Sequence, residues 1–70
     1  DHQVTFPDAA RLPDAHARLI KEVLANTSAA RNAAIEKLAE RFHAEFSANG
    51  LPPEQFLRTL LADHIHLTAR

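Results

Sequence analysis

Apolar positions recur with two different periods along the chain, and the period changes near residue 13. Gln3, Val4, Thr5 and Phe6 alternate polar and apolar side chains, which is typical of a strand, and Pro7 ends the alternation. A single strand in a helical chain has no intrachain partner. We therefore expect residues 1–12 to form an extended N-terminal arm, with room for a helical turn at 8–11, that lies over the helices or pairs with a second copy.

From residue 13 onward, apolar residues recur every three or four positions and predict three helices, at about 13–26, 29–48 and 53–68. Pro13 suits a first helical position. Asn26, Thr27 and Ser28 favour a break, because such residues prefer caps and turns to helix interiors. One unbroken helix is the alternative, but it would set the first two apolar stripes roughly 80° apart. The break removes this conflict.

The end of the second helix carries the strongest local signal. Asn49 and Gly50 predict a left-handed C-cap, and two prolines follow that cannot continue the helix but can start the next one. Glu54 and Arg58 form a favourable pair in the first turns of the third helix, because residues four apart are neighbours on a helix surface.

Together these elements predict an all-α domain, a three-helix antiparallel bundle with an extended N-terminal arm. Fourteen of the 70 residues are Ala, which leaves eighteen larger apolar side chains for the core. So small a core is marginal on its own. The third helix also has a wider apolar face than one neighbouring helix needs, so we expect a symmetric dimer. The predicted interface comprises Val4 and Phe6 of the arm with Leu57, Leu60, Leu61, His64 and Ile65.

Charge and composition exclude several classes of protein. Eight Lys and Arg against nine Asp and Glu exclude a strongly basic nucleic-acid-binding domain. The absence of Cys excludes disulfides and Cys-based zinc sites. No membrane span or secretory signal pattern is present, so a cytoplasmic location is the default expectation. Since the first residue is Asp1, we expect a processed chain or part of a longer protein, and the frequent Ala and Arg suggest a bacterial source.

The five histidines raise the question of metal binding. His16 and His64 lie within the predicted apolar stripes and His43 lies at the edge of one, which makes these three weak candidate ligands. Hydrogen-bonded core histidines are the more common case, so we expect no metal and no cofactor. Glu40 and His43 have the Glu-x-x-His spacing of di-iron bundles, but with Glu36 they face away from the apolar stripe.

No residue has the sequence surroundings of a catalytic nucleophile, because no Gly-rich turn lies beside Ser28 or Ser47. We therefore expect neither an enzyme nor a small-molecule substrate. The leading hypothesis is a helical interaction or dimerisation module that binds a partner helix or a second copy. One alternative is a DNA-binding regulator or antitoxin-like protein that uses the N-terminal strand, although residues 1–10 contain no Lys or Arg. Another is a His-based metal-binding or pH-sensing bundle.

Overall fold

The computed structural model describes residues 3–47 and 50–69. In these residues the chain forms three α-helices and no strand, which confirms the all-α class. The elements are a 3₁₀ helix (Pro7–Arg11), α1 (Asp14–Ala25), α2 (Arg31–His43) and α3 (Pro53–Thr68).

The first helix and the break after it agree with the sequence prediction. Pro13, the predicted first residue of the helix, is the N-cap of α1, so the helix begins one position later than predicted, and Asn26 is its C-cap. The side-chain Oδ1 of Asn26 accepts a hydrogen bond of 2.8 Å from the Ser28 amide. Such a local bond competes with helical hydrogen bonding, so the chain turns here instead of continuing into α2.

The second helix is shorter at both ends than the predicted 29–48. The amides of Glu45 and Phe46 both donate to the Phe42 carbonyl, at 3.0 and 2.8 Å, so the helix closes into a turn after His43. This turn buries the Phe46 ring in the core. The predicted last residue, Ala48, lies outside the described residues.

Gly50, in the loop before α3, has the predicted backbone conformation but not the predicted role. Gly50 has a φ of +79°, the left-handed conformation expected for it. It follows the end of α2 by a whole loop, however, so it does not cap that helix, and Asn49 lies outside the described residues. The third helix has its predicted bounds, and the predicted pair is confirmed, with Arg58 Nε 3.0 Å from Glu54 Oε2.

The N-terminal segment (residues 3–12) lies over the helices, one of the two predicted arrangements, and has the helical turn expected near 8–11, but it is not an extended arm. Residues 7–11 form the 3₁₀ helix, which packs against α3 as an integral layer of the structure. Phe6, Ala9 and Leu12 are buried, with no more than 6% of their surface exposed. The segment is therefore part of the core, and strand pairing has no counterpart in the described residues.

The core lies between α3 and the other three elements, each of which contacts it. Three aromatic rings meet where the N-terminal segment crosses α3. The Phe6 ring lies edge-on to Phe56 at 5.5 Å between centroids and to Phe46 at 6.4 Å. Edge-to-face packing at these distances is favourable. The buried apolar side chains are Phe6, Ala9, Leu12, Ala17, Ile20, Ile35, Leu38, Ala39, Phe42, Phe46, Phe56, Leu57 and Leu60.

Candidate functional site

A buried carboxylate holds the N-terminal segment on α3. Asp63 is fully buried, and its Oδ2 accepts hydrogen bonds from the backbone amides of Thr5, at 2.9 Å, and Phe6, at 2.7 Å. Burying a carboxylate is costly unless it is hydrogen-bonded, so these two donors account for its position. Both amides are occupied, and a strand formed by residues 3–6 cannot use them to pair with a second copy.

His64, next to Asp63 on α3, makes a second contact with the N-terminal segment. Its Nδ1 lies 2.9 Å from the Ala9 carbonyl oxygen, and because a carbonyl only accepts, Nδ1 carries the hydrogen. Its Nε2 lies 3.5 Å from Oδ1 of the exposed Asp14, a contact that is an ion pair only when the ring is protonated. One ring nitrogen thus contacts the N-terminal segment and the other faces the start of α1.

The three histidines considered as metal ligands are not brought together. In the described residues, no three His, Asp or Glu side chains lie close enough to hold a metal ion. His16 points inward as predicted and lies 5.6 Å from Phe42 between ring centroids. Its Nδ1 is buried and has no hydrogen-bond partner among the described residues. His43 lies at the surface.

The structure revises the predicted interface. Phe6, Leu57, Leu60 and His64 are buried inside the chain itself, because the N-terminal segment and α1 already cover the wide apolar face of α3. Val4 and Leu61 are half-buried, and Ile65 is 56% exposed. Only these last three remain available to a partner. Leu19 and Leu67 are the other exposed large apolar side chains in the described part of the chain.

A concave surface absent from the sequence prediction lies between α2 and the beginning of α3, and we call it the α2–α3 groove. It consists of two cavities of about 220 Å³ each, which adjoin because Glu36 and Pro53 line both. Ala39, Leu51 and Phe56 form apolar walls of one cavity. The α2 side is lined by Asn32, Ile35, Glu36, Ala39, Glu40 and His43, and the other side by Leu51, Pro52, Pro53, Glu54 and Phe56.

The spacing of the α2 residues explains how one helix lines the whole groove. Positions 32, 36, 39 and 43 recur every three or four residues and so lie on one face, along about 16 Å of helix. The helical repeat predicts that Glu36, Glu40 and His43 share a face turned away from the apolar stripe. In the structure that face is the rim of the groove.

The charge around the groove is one-sided. Glu36 and Glu40 make no ion pair or side-chain hydrogen bond with the described residues. Lys37 and Arg41 lie roughly 100° further round α2 and line neither cavity. The described lining of the groove contains no Lys or Arg, so its field is negative although the whole chain is almost neutral.

Glu54, at the end of the groove, is already engaged. Arg31 Nη1 donates to its Oε1 at 3.0 Å, and Arg58 Nε donates to its Oε2. The hydrogen bond from Arg31, followed by that from Arg58, favours the charged carboxylate and lowers the pKa of Glu54 from its ordinary value of 4.5. Arg31 also donates to the Leu24 carbonyl at 3.3 Å, so it joins the end of α1 to the start of α3.

A larger concavity lies along α3, but it is a less suitable binding site than the groove. It measures about 570 Å³ and is lined by Pro52 and by residues of α3 alone, from Glu54 to Ala62. A concavity along the outer surface of one helix, with no opposing wall among the described residues, cannot enclose a ligand. Within the same part of the chain, no helix combines the length and apolarity needed to cross a bilayer.

Comparison with known proteins gives one match. A family model described as "Domain of unknown function (DUF8484)" matches residues 1–70, the whole chain. No curated protein and no solved structure matches the chain significantly. The chain is therefore a member of the DUF8484 family, a domain of unknown function.

Proposed function

We propose that this chain is a small non-enzymatic protein-interaction domain that binds a segment of a partner protein in the α2–α3 groove. The observation that carries the proposal is the apolar wall of Ala39, Leu51 and Phe56, which lines a cavity that the side chains of the described residues leave unfilled. A row of cavities beside a helix is typical of surfaces that accept the spaced side chains of a peptide.

The division of the groove into two cavities of about 220 Å³ each suits the separate side chains of a peptide. The two buried ionisable groups, Asp63 and His64, hold the N-terminal segment, which supports a structural role for both and a non-enzymatic domain.

The arrangement of the helices bears on the proposal. Asp14, the first residue of α1, lies beside His64 near the end of α3. Arg31 connects Leu24, near the end of α1, with Glu54 at the start of α3. These contacts set α1 antiparallel to α3, whereas an up-down-up bundle would make the two helices parallel, so they argue against the predicted antiparallel bundle. The surface that we propose for a peptide lies between α2 and the start of α3.

Self-association through the end of α3 is the second candidate, and the exposure of Ile65 supports it. The apolar side chains left outside the core are few, whereas a stable interface buries about 800 Å² on each partner. Dimerisation is therefore the weaker proposal. If it operates, Leu61→Asp lowers the solution mass measured by light scattering while helicity remains. An unchanged mass at low micromolar concentration would remove this candidate.

The groove is tested by filling it. Random peptides displayed on phage are selected on the wild-type chain and then measured against Ala39→Leu, whose added carbons enter the cavity. Ala15→Leu, an exposed position in α1, is the matched control. We expect selected peptides to contain apolar anchors, to bind the Ala15→Leu protein normally and to lose at least about tenfold in affinity for Ala39→Leu. Equal binding to both variants would contradict the groove as the binding site.

A further inference from the structure

From the charge around the groove we infer the chemistry of its partner: a basic peptide segment that places an aliphatic side chain in the cavity and Lys or Arg beside Glu36 and Glu40. The inference rests on the proposed function and adds to it the sign of the partner's charge. It follows from three features of the site.

The first feature is the pair of unpartnered carboxylates. Glu36 and Glu40 are exposed, lie four residues apart on α2 and both border the cavity lined by Ala39 and Phe56. Like charges at this spacing destabilise a helix slightly. A bound cationic side chain between them relieves this repulsion and turns an unfavourable pair into two favourable contacts.

The second feature is the distribution of the cations. The two basic residues nearest the far end of the groove, Arg31 and Arg58, are both hydrogen-bonded to Glu54. Lys37 and Arg41 lie on another side of α2 and border neither cavity. No described side chain forms an ion pair with Glu36 or Glu40, so both carboxylates can pair with cations of a partner. Complementary charges raise the association rate and select between partners.

The third feature is that the acidic rim encloses an apolar floor. Two carboxylates alone favour any cation, but the buried ring of Phe56 and the methyl group of Ala39 offer nothing to a simple ion. Apolar burial requires an aliphatic side chain, and the rim requires a positive one. A peptide that carries both meets the two requirements at once.

The experiment uses three fluorescein-labelled peptides with the same two leucines spaced by four residues and with Lys, Ser or Glu at the flanking positions. Binding to the full chain is measured by fluorescence anisotropy at about 50 mM salt. We expect the Lys peptide to bind at least about tenfold more tightly than the Ser peptide, and the Glu peptide to bind most weakly. Higher salt should reduce the difference between the peptides because it screens exposed charges.

A charge-reversal variant tests the residues named. Glu36→Lys/Glu40→Lys should reverse the order of the three peptides. Glu22→Lys/Glu45→Lys makes the same change in net charge at two other exposed positions and should keep the wild-type order. Circular dichroism checks that both variants remain helical. The inference is overturned if both double variants change the order equally, because net charge alone would then explain the preference.

The two proposals fail in different ways. If the Ser and Lys peptides bind with equal affinity and both are lost in Ala39→Leu, the charge preference is wrong and the groove stands. If none of the peptides binds, or if all bind Ala39→Leu as tightly as wild type, the groove itself is wrong as the site for an apolar anchor.

Discussion

The two halves of α3 face very different surroundings. Its second half is covered by the chain itself, where Asp63 accepts hydrogen bonds from backbone amides of the N-terminal segment and His64 contacts a backbone carbonyl of that segment. Its first half faces α2 across a groove whose wall at Leu51 and Pro53 remains at least partly exposed. One helix therefore carries a closed end and an open end.

The difference between the two ends lies in how their polar groups are used. At the closed end, ionisable side chains point inward and bond to backbone groups far away in sequence. At the open end, Glu36 and Glu40 point outward and find no partner in the described residues. Polar groups that are hydrogen-bonded inside the chain support a structural role for the closed end. Unpaired charges beside an apolar cavity are the basis for proposing a binding surface at the open end.

The largest effect should come from removing the ring that packs the N-terminal segment against α3. Phe6→Ala leaves a cavity against Phe46 and Phe56 and should lower the free energy of unfolding by about 3 kcal/mol. Urea unfolding followed by circular dichroism measures this loss. Leu51→Ala, at the half-buried wall of the groove, is the comparison and should cost less than half as much. Equal losses would mean that both ends are packed alike.

Asp63→Ala should have the second largest effect, because it removes the acceptor of the Thr5 and Phe6 amides and leaves the Phe6 amide buried without a partner. We expect a loss of about 2 kcal/mol or more in the free energy of unfolding. Glu40→Ala, which removes a carboxylate from the open end, should change the same quantity by no more than about 0.5 kcal/mol. A loss in Glu40→Ala as large as that in Asp63→Ala would contradict the distinction between the two ends.

His16→Leu should stabilise the protein, because Nδ1 of His16 is buried without a partner among the described residues. An apolar side chain of similar volume removes that desolvation cost and keeps the contact with Phe42. The expected gain in unfolding free energy is about 1 kcal/mol, measured by urea unfolding at pH 7. A destabilisation of the same size would show that the ring nitrogen is hydrogen-bonded in solution.

The smallest effect concerns Glu54, which ends the groove. Since its pKa is lowered in the folded state, its contribution to stability is complete above the ordinary value of 4.5 and is lost as the pH falls through the lowered folded pKa. Glu54→Gln should therefore be slightly less stable than wild type at pH 7, and the gap should close in acid. Thermal unfolding of both proteins across this range measures the gap, and a gap independent of pH would exclude the ion pairs as its cause.

Much of the helical framework follows from local sequence signals. The third helix has its predicted bounds because Pro53 and Glu54 suit its first turn, and the break after α1 occurs where Asn26 accepts the local hydrogen bond. The end of α2 was predicted too late, since the turn that stops it depends on the packing of Phe46 beside Phe6. That contact joins distant parts of the chain and leaves no local signal.

The buried contact of Asp63 and the α2–α3 groove were harder to predict, because both depend on packing between distant parts of the chain. Asp63 lies three residues after Leu60 and seven after Phe56, so its place on the buried face is visible in the helical repeat. A buried carboxylate at this position is explained only by the hydrogen-bond donors of residues 5 and 6, which come from the other end of the chain. The groove depends on the relative orientation of α2 and α3, which the spacing of apolar residues does not predict. The shared helix face of Glu36, Glu40 and His43 was predicted.

The most direct test of an open and a closed end is a two-dimensional amide NMR titration of the full chain with the Lys-flanked leucine peptide. We expect chemical-shift changes at the groove, in residues 32–43 and 51–56. The amide signals of residues 4–12 and 60–65 should stay unchanged. Shifts concentrated on the N-terminal segment or the second half of α3 would contradict this expectation, because the peptide would then be entering the end that the chain closes for itself.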